Sequence, residues 1–384
     1  MTGRILAGLL SSLLILGVKP AALAQEKSAA PAPAVELEKK ADSKEEDKTA
    51  VDSGTSSTKP KPAAGRLTRW FELQAATLNA RYRFIRNSAG VTTSNSLQHK
   101  EVFKGRFKFD GEGRYSINAG LFSGRTFTGT WENTGLGIGQ GQTNLALKQL
   151  YLAAQPIKGV EFQYGGLYLV RGESSEITTY DEDGYIVGER ISLRRPDKLF
   201  FDEVSVTYAY LGDLNTPNLN KRYHRLKQSN YHQFLVGKKI GQRAAVSADY
   251  TFQSGRETLR QAVKLSLPEL RVVDAIRFEN YQRVDARPDY GFALSGEKTI
   301  AKRLTLGGGY AQIDPHYGSG LNADRFDIGR RVFLSGSFQL SPEFTISGFA
   351  GRGVANGVPI SQRSRFDVIF SYNLLKSLQR TGLF

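Results

Sequence analysis

The sequence predicts an all-β fold, a transmembrane antiparallel up-and-down β-barrel of about 16 strands behind a disordered N-terminal segment. Three observations carry that prediction. Segments alternating apolar and polar residues recur from Trp70 almost to the C-terminus, the chain opens with an export signal, and no later stretch is continuously apolar. The clearest segment is VFKGRFKFD, at 102–110. Successive strand side chains point to opposite faces, so Phe103, Gly105, Phe107 and Phe109 form one face and Lys104, Arg106, Lys108 and Asp110 the other. A soluble sheet could turn such an apolar face to a core. Recurrence together with export favours lipid outside and a polar lumen within.

Residues 1–24 read as a signal peptide: Arg4, the apolar run ILAGLLSSLLILGV, and Ala22-Leu23-Ala24 as the cleavage site. The run is shorter than the roughly 20 residues of a membrane-spanning helix. Residues 25–65 are rich in Ala, Pro, Lys and Glu and lack aromatics, so they cannot bury enough apolar surface to fold alone. They read as a disordered periplasmic linker, with cell-wall or protein contact as the functional alternative. The barrel is then expected over 66–384 in the bacterial outer membrane, with the N-terminal segment in the periplasm.

With no Cys there is no lipoprotein attachment site, disulfide or thiolate metal site. The net charge of +15 falls almost wholly in the barrel region. Export argues against nucleic acid as the partner of that surplus, which leaves lipopolysaccharide at the surface or anionic solutes in a pore. No cofactor is implied, and a homotrimer is left open.

Alternation places strands near 70–86, 98–110, 114–124, 144–155, 159–172, 199–211, 229–240, 244–254, 257–267, 270–284, 289–300, 303–313, 326–340, 343–353 and 363–374. Single-chain barrels normally have an even strand count. The short turns GEG, PIK, IGQR, LPEL, IAKR and LSPE keep one phase everywhere except between Leu211 and Ser229. A weak strand near 217–226 restores the phase and gives about sixteen, with both barrel ends on the periplasmic side; fourteen or eighteen stay open.

Chemistry is expected on the inward faces. Arg81 and Arg83 on the first strand, Lys104, Arg106 and Lys108 on the second, and Arg114 at the start of the third would form one basic wall, since neighbouring strands lie about 4.8 Å apart. Such a wall attracts anions. The alternative is that these charges pair with Glu72, Asp110 and Asp249 and brace the barrel. The longest connection, Gly172–Lys198, holds an acidic cluster, Asp181, Glu182 and Asp183, and a basic one, Arg190, Arg194 and Arg195. A solvated surface loop would carry the same charges.

YDEDG lacks the spacing of a calcium loop, so no metal site is assigned. GLGIGQGQ at 135–142 lacks the Lys-Ser/Thr pair of a phosphate-binding loop and reads as a flexible connection. Barrel enzymes need a base beside a nucleophile, and of His99, His224, His232 and His316 only Asp314-Pro315-His316 suggests a pair, with no Ser singled out. The reading is therefore not an enzyme.

The early hairpins, LKQLYLAAQPIKGVEFQYGGLYL (147–169) and the final strand RFDVIFSYNL resemble bacterial outer-membrane porins, and more loosely the phosphate-selective porin group. The final strand and terminal Phe384 are similar to the barrel assembly signal, although 376–382 break the alternation. The resemblance implies a passive channel for small polar solutes. Its anion preference would rest on the positions from Arg81 to Lys108, and its third loop, here 172–198, would fold into the lumen as a constriction. A plugged anchoring barrel is the alternative, with a barrel enzyme behind it.

Overall fold

The structure, a computed structural model, describes residues 69–381 apart from 125–128, 176, 179–184, 195–198, 212–218, 226–227, 286–289, 315–327 and 355–361. The expected signal peptide and the whole of the linker lie outside the described residues. Seventeen strands are present. In chain order they are β1 (Phe71–Asn87), β2 (Thr92–Lys108), β3 (Tyr115–Ser123), β4 (Glu132–Gly137), β5 (Leu145–Ile157) and β6 (Val160–Tyr168). Then follow β7 (Tyr185–Leu193), β8 (Glu203–Tyr210), β9 (Tyr231–Ile240), β10 (Ala244–Gln253), β11 (Arg256–Ser266) and β12 (Ala275–Arg283). The last are β13 (Tyr290–Ile300), β14 (Leu304–Ile313), β15 (Gly329–Gln339), β16 (Phe344–Gly353) and β17 (Gln362–Asn373), before a short helix α1 (Leu374–Arg380).

Sixteen of these strands close an antiparallel barrel in which each pairs with its neighbours in the chain. The seam joins β1 to β17, from Thr77 opposite Asn373 to Asn87 opposite Gln362. Strand β4 is additional. Where β3 ends, β4 takes over as the partner of the far part of β2, with Asn133 opposite Gln98 and Glu132 opposite His99.

All six turns singled out in the sequence lie at the barrel end that also holds the start of β1 and α1, here the terminal end. In the GEG turn, Gly113 adopts φ +67°, a left-handed conformation that a side chain disfavours. The wall faces outward with Leu78, Tyr82, Phe107, Leu121, Leu152, Phe162, Val206 and Phe234, all more than a third exposed. The opposite face of the same strands is polar and buried, with Asn79, Arg81, Ser116, Asn118, Gln163, Thr207 and Gln233. Period-two alternation thus builds the barrel as the sequence predicts.

The sixteenth strand lies elsewhere than expected. It is β7, inside the segment 172–198 read as one long loop, whereas 219–225 within the expected weak strand form a 3₁₀ turn. The turn packs on β5, β6 and β7. Leu219 is fully buried against Gly166, where a Cβ would lie 2.5 Å from the leucine, and the Tyr223 hydroxyl donates to the Leu150 carbonyl at 2.6 Å. Part of the Gly-rich stretch is also ordered, because Gly135 and Gly137 belong to β4. After β17 the broken alternation is helix: the Asn373 side chain accepts from the Lys376 amide at 3.0 Å as the N-cap of α1. Phe384 lies outside the described residues.

Candidate functional site: the lumen wall and the segment that crosses it

The predicted wall residues divide by their partners. Arg81 is fully buried; its guanidinium donates to Gln98 Oε1 at 3.0 Å and sits 4.0 Å over the Trp131 ring. Arg83 pairs with Asp367 of β17 at 3.0 Å, and Arg365 meets the same carboxylate at 2.6 Å. Lys108 pairs with Glu72 at 2.8 Å. Arg114 lies in the exposed turn before β3, beside Glu112 at 3.0 Å and Asp110 at 3.5 Å. These four thus take much of the bracing role, with Glu72 and Asp110 as expected partners. Asp249 braces too, but with Arg260 at 3.0 Å, a pair the sequence reading did not name.

Lys104 and Arg106 differ. Both are partly exposed on the terminal-end half of β2. Arg106 donates to the Ser116 hydroxyl at 3.1 Å and to the Gly113 carbonyl, and Lys104 stands 5.4 Å over the Phe122 ring. Neither meets a carboxylate among the described residues.

The described part of the connection from β6 to β7, residues 169–175 and 177–178, runs through the interior. Gln233 of β9 donates to the Val170 carbonyl at 2.9 Å, and the Glu173 amide donates to Ser247 of β10 at 2.8 Å. Further along, Glu279 of β12 accepts from the Ser175 amide at 2.8 Å, the Ser175 hydroxyl at 2.5 Å and the Thr178 hydroxyl at 2.8 Å. Ile177 is buried among Tyr281, Ala293, Ala311, Ile313, Phe333 and Phe349, the inward side chains of β12 to β16. A carboxylate with three donors and an apolar socket together hold the segment against the far wall.

The charged residues expected on this loop are described only in part. Asp181, Glu182, Asp183 and Arg195 lie outside the described residues. Arg190 is on β7, fully buried, donating to Gln163 and Thr207, both at 3.0 Å, with its guanidinium 4.9 Å from the Tyr168 ring. Arg194 is at the terminal end, bound to Glu203 at 2.8 Å and Glu161 at 3.0 Å. Burial lowers its pKa, but these carboxylates outweigh that and raise it above the usual arginine value. Arg190 and Arg194 lie apart from a lumen loop because β7 carries the chain back to the terminal end.

Among the described residues no histidine is arranged as a base. His99 lies between Glu101 at 2.8 Å and the Gln142 carbonyl at 2.9 Å. His232 is stacked on Tyr208 and is 2.6 Å from the Ser229 hydroxyl. That hydroxyl is also 3.1 Å from the Ala209 carbonyl. His224 is exposed, and His316 lies outside the described residues.

Comparison by sequence matches this chain to no protein-family model and to no curated protein. Comparison of structures finds bacterial porins. OmpF of Salmonella typhi, solved in complex with daunomycin, superposes with a TM-score of 0.53 at 11% identity, over 79% of this chain and 97% of OmpF. A mutant of the Rhodopseudomonas blastica porin superposes with a TM-score of 0.51 at 9% identity, over 79% of this chain and 99% of that one. A second mutant of that porin gives 0.51 at 10% identity, with the same coverage. The chain shares the sixteen-strand barrel fold of these porins, while the phosphate-selective subgroup does not emerge from the comparison.

Proposed function

We propose that the chain is a passive diffusion channel of the bacterial outer membrane that admits small polar solutes and favours anions. The observation that carries the reading is the pairing of a polar, basic lumen wall with a segment laid across it. The outward apolar face supplies the lipid contact such a barrel needs. The described part of the segment between β6 and β7 narrows the lumen, and the partly exposed Lys104 and Arg106 have no ion-pair partner among the described residues, so their positive charge stays uncompensated along the path. In this reading residues 1–24 are removed on export, and 25–65 extend from the terminal end into the periplasm.

The test is reversal potential across planar bilayers under a salt gradient. Lys104→Glu with Arg106→Glu should move it toward cations, and unchanged selectivity would sink the anion preference. A second reading, a plugged anchoring barrel, is favoured by the near-complete burial of Arg81, Arg190, Arg331 and Arg365 inside the wall. Steady single-channel current separates the two.

A further inference from the structure

We propose that the lumen wall between β2 and β6 carries a binding subsite for a small monoanionic, hydroxyl-bearing solute of monosaccharide size, a hexuronate being the simplest case. The inference rests on the channel reading and names its solute class. The wall here is hollowed into a half-open cavity of about 200 Å³ lined by Gln74, Lys104, Asn118, Gln149, Tyr151 and Tyr168. That volume is below the roughly 300–1,000 Å³ of pockets for drug-sized ligands, which limits the occupant to a single small ring.

Two cross-strand rows place these side chains. Lys104, Gly120 and Gln149 lie on one row of β2, β3 and β5, and Arg106, Asn118 and Tyr151 on the next. Gly120 makes room for its neighbours on that row: a Cβ there would lie 2.6 Å from the Phe122 ring and 3.2 Å from Gln149 Cβ. Lys104 lines the space with a single charge, its ammonium 5.4 Å from the Phe122 ring, and has no ion pair among the described residues. One cation suits a monoanion, whereas a bare multivalent anion gains most from several cations or from bidentate arginine.

The other lining groups are neutral and two-sided. The amides of Gln74, Asn118 and Gln149 both donate and accept, which matches hydroxyls that do the same. The Tyr151 and Tyr168 rings lie 6.0 Å apart at 58°. That tilt forms no slot for a flat ring but offers a face and two hydroxyls to a puckered one. Arg190 under Tyr168 holds that ring in place.

The experiment is current block in planar bilayers carrying the folded protein in KCl, with sodium glucuronate, glucose or inorganic phosphate added. Glucuronate should block saturably at a concentration about tenfold below glucose or phosphate, the worth of one charge-assisted contact plus the amides. Lys104→Gln should raise the glucuronate half-block about tenfold, and Lys104→Arg should recover most of it. Equal block by glucuronate and glucose, equal block by phosphate, or an unmoved Lys104→Gln each overturns the subsite. Absence of KCl current instead refutes the channel reading. Calorimetric titration of the folded barrel with glucuronate then decides the subsite: saturable heat lost in Lys104→Gln supports it, and no saturable heat overturns it.

Discussion

Asp367→Asn tests how the barrel is closed. Asp367 on the last strand faces Arg83 on the first, across the seam that turns the sheet into a barrel. Both carboxylate oxygens are engaged: Arg83 reaches Oδ1 at 3.0 Å and Oδ2 at 3.3 Å, and Arg365 reaches Oδ2 at 2.9 and 2.6 Å. None of the three side chains is more than 6% exposed. Asparagine keeps the shape, so no cavity opens, but it removes the charge that offsets two buried guanidiniums. Breaking one partner of a buried ion pair costs about 3–5 kcal/mol. Every 1.4 kcal/mol is tenfold, so the folded-to-unfolded ratio should fall by about 10²–10³·⁵. With a denaturant slope near 3 kcal/mol per molar, the urea midpoint should drop by about 1–2 M. The assay is equilibrium unfolding in detergent, followed by the fluorescence of Trp70 and Trp131. A loss below about 1 kcal/mol would refute the claim that this carboxylate holds the seam. Arg83→Gln should then be milder in the Asp367→Asn background than alone, because it no longer strands a partner.

Two further predictions follow the same reasoning at other sites. Glu279→Ala removes the acceptor of three hydrogen bonds, so amide exchange at Ser175 and Thr178 should quicken about 30-fold, equivalent to about 2 kcal/mol of lost local stability, and unchanged protection would refute the latch. At the terminal end, the Ser341 hydroxyl first and Arg380 with it hold the Glu343 carboxyl below the usual glutamate range. A depressed folded value means that the Arg380 clamp on α1, at 2.9 Å, is complete above the ordinary value of about 4.3 and is lost as pH falls through the folded one. Hydrogen-exchange protection of α1, taken relative to the intrinsic rate at each pH, should therefore fall only in acid; a fall between pH 6 and 8 would show that another group controls it.

The barrel was legible because its signal repeats. An outward Phe103 with inward Lys104 says little alone, but the same period recurring along the chain leaves one architecture that can satisfy it. The miss at β7 has a local cause. In YIVGERISL, Ile186 and Val187 are adjacent and Glu189 stands next to Arg190, so the alternation is blurred and the charges mimic a loop. Its β-branched residues were a usable signal that the charge pattern overrode. The interior latch could not be read, because Ser175 and Glu279 are 104 residues apart and meet only once the strand order is known. The Arg83–Asp367 pair, 284 residues apart, requires the register of the closing seam as well.

Burial decides which inward charges face water. Arg81 and Arg365 are at most 2% exposed and Arg83 is 5% exposed, so their fields are spent on neighbouring aromatic rings and on Asp367. A side chain in that state contributes to closing the barrel, and only weakly to the potential that a passing ion meets. Lys104 and Arg106 are partly exposed and have no carboxylate partner among the described residues, on the half of β2 nearest the terminal end. At physiological salt a charge is felt over about 8 Å, so selectivity should be set by those few groups and only along that part of the lumen. Reversing Arg83 along with them would confound the result, since a lost seam also changes current. A selectivity experiment confined to Lys104 and Arg106 reads charge, whereas one that includes Arg83 reads folding.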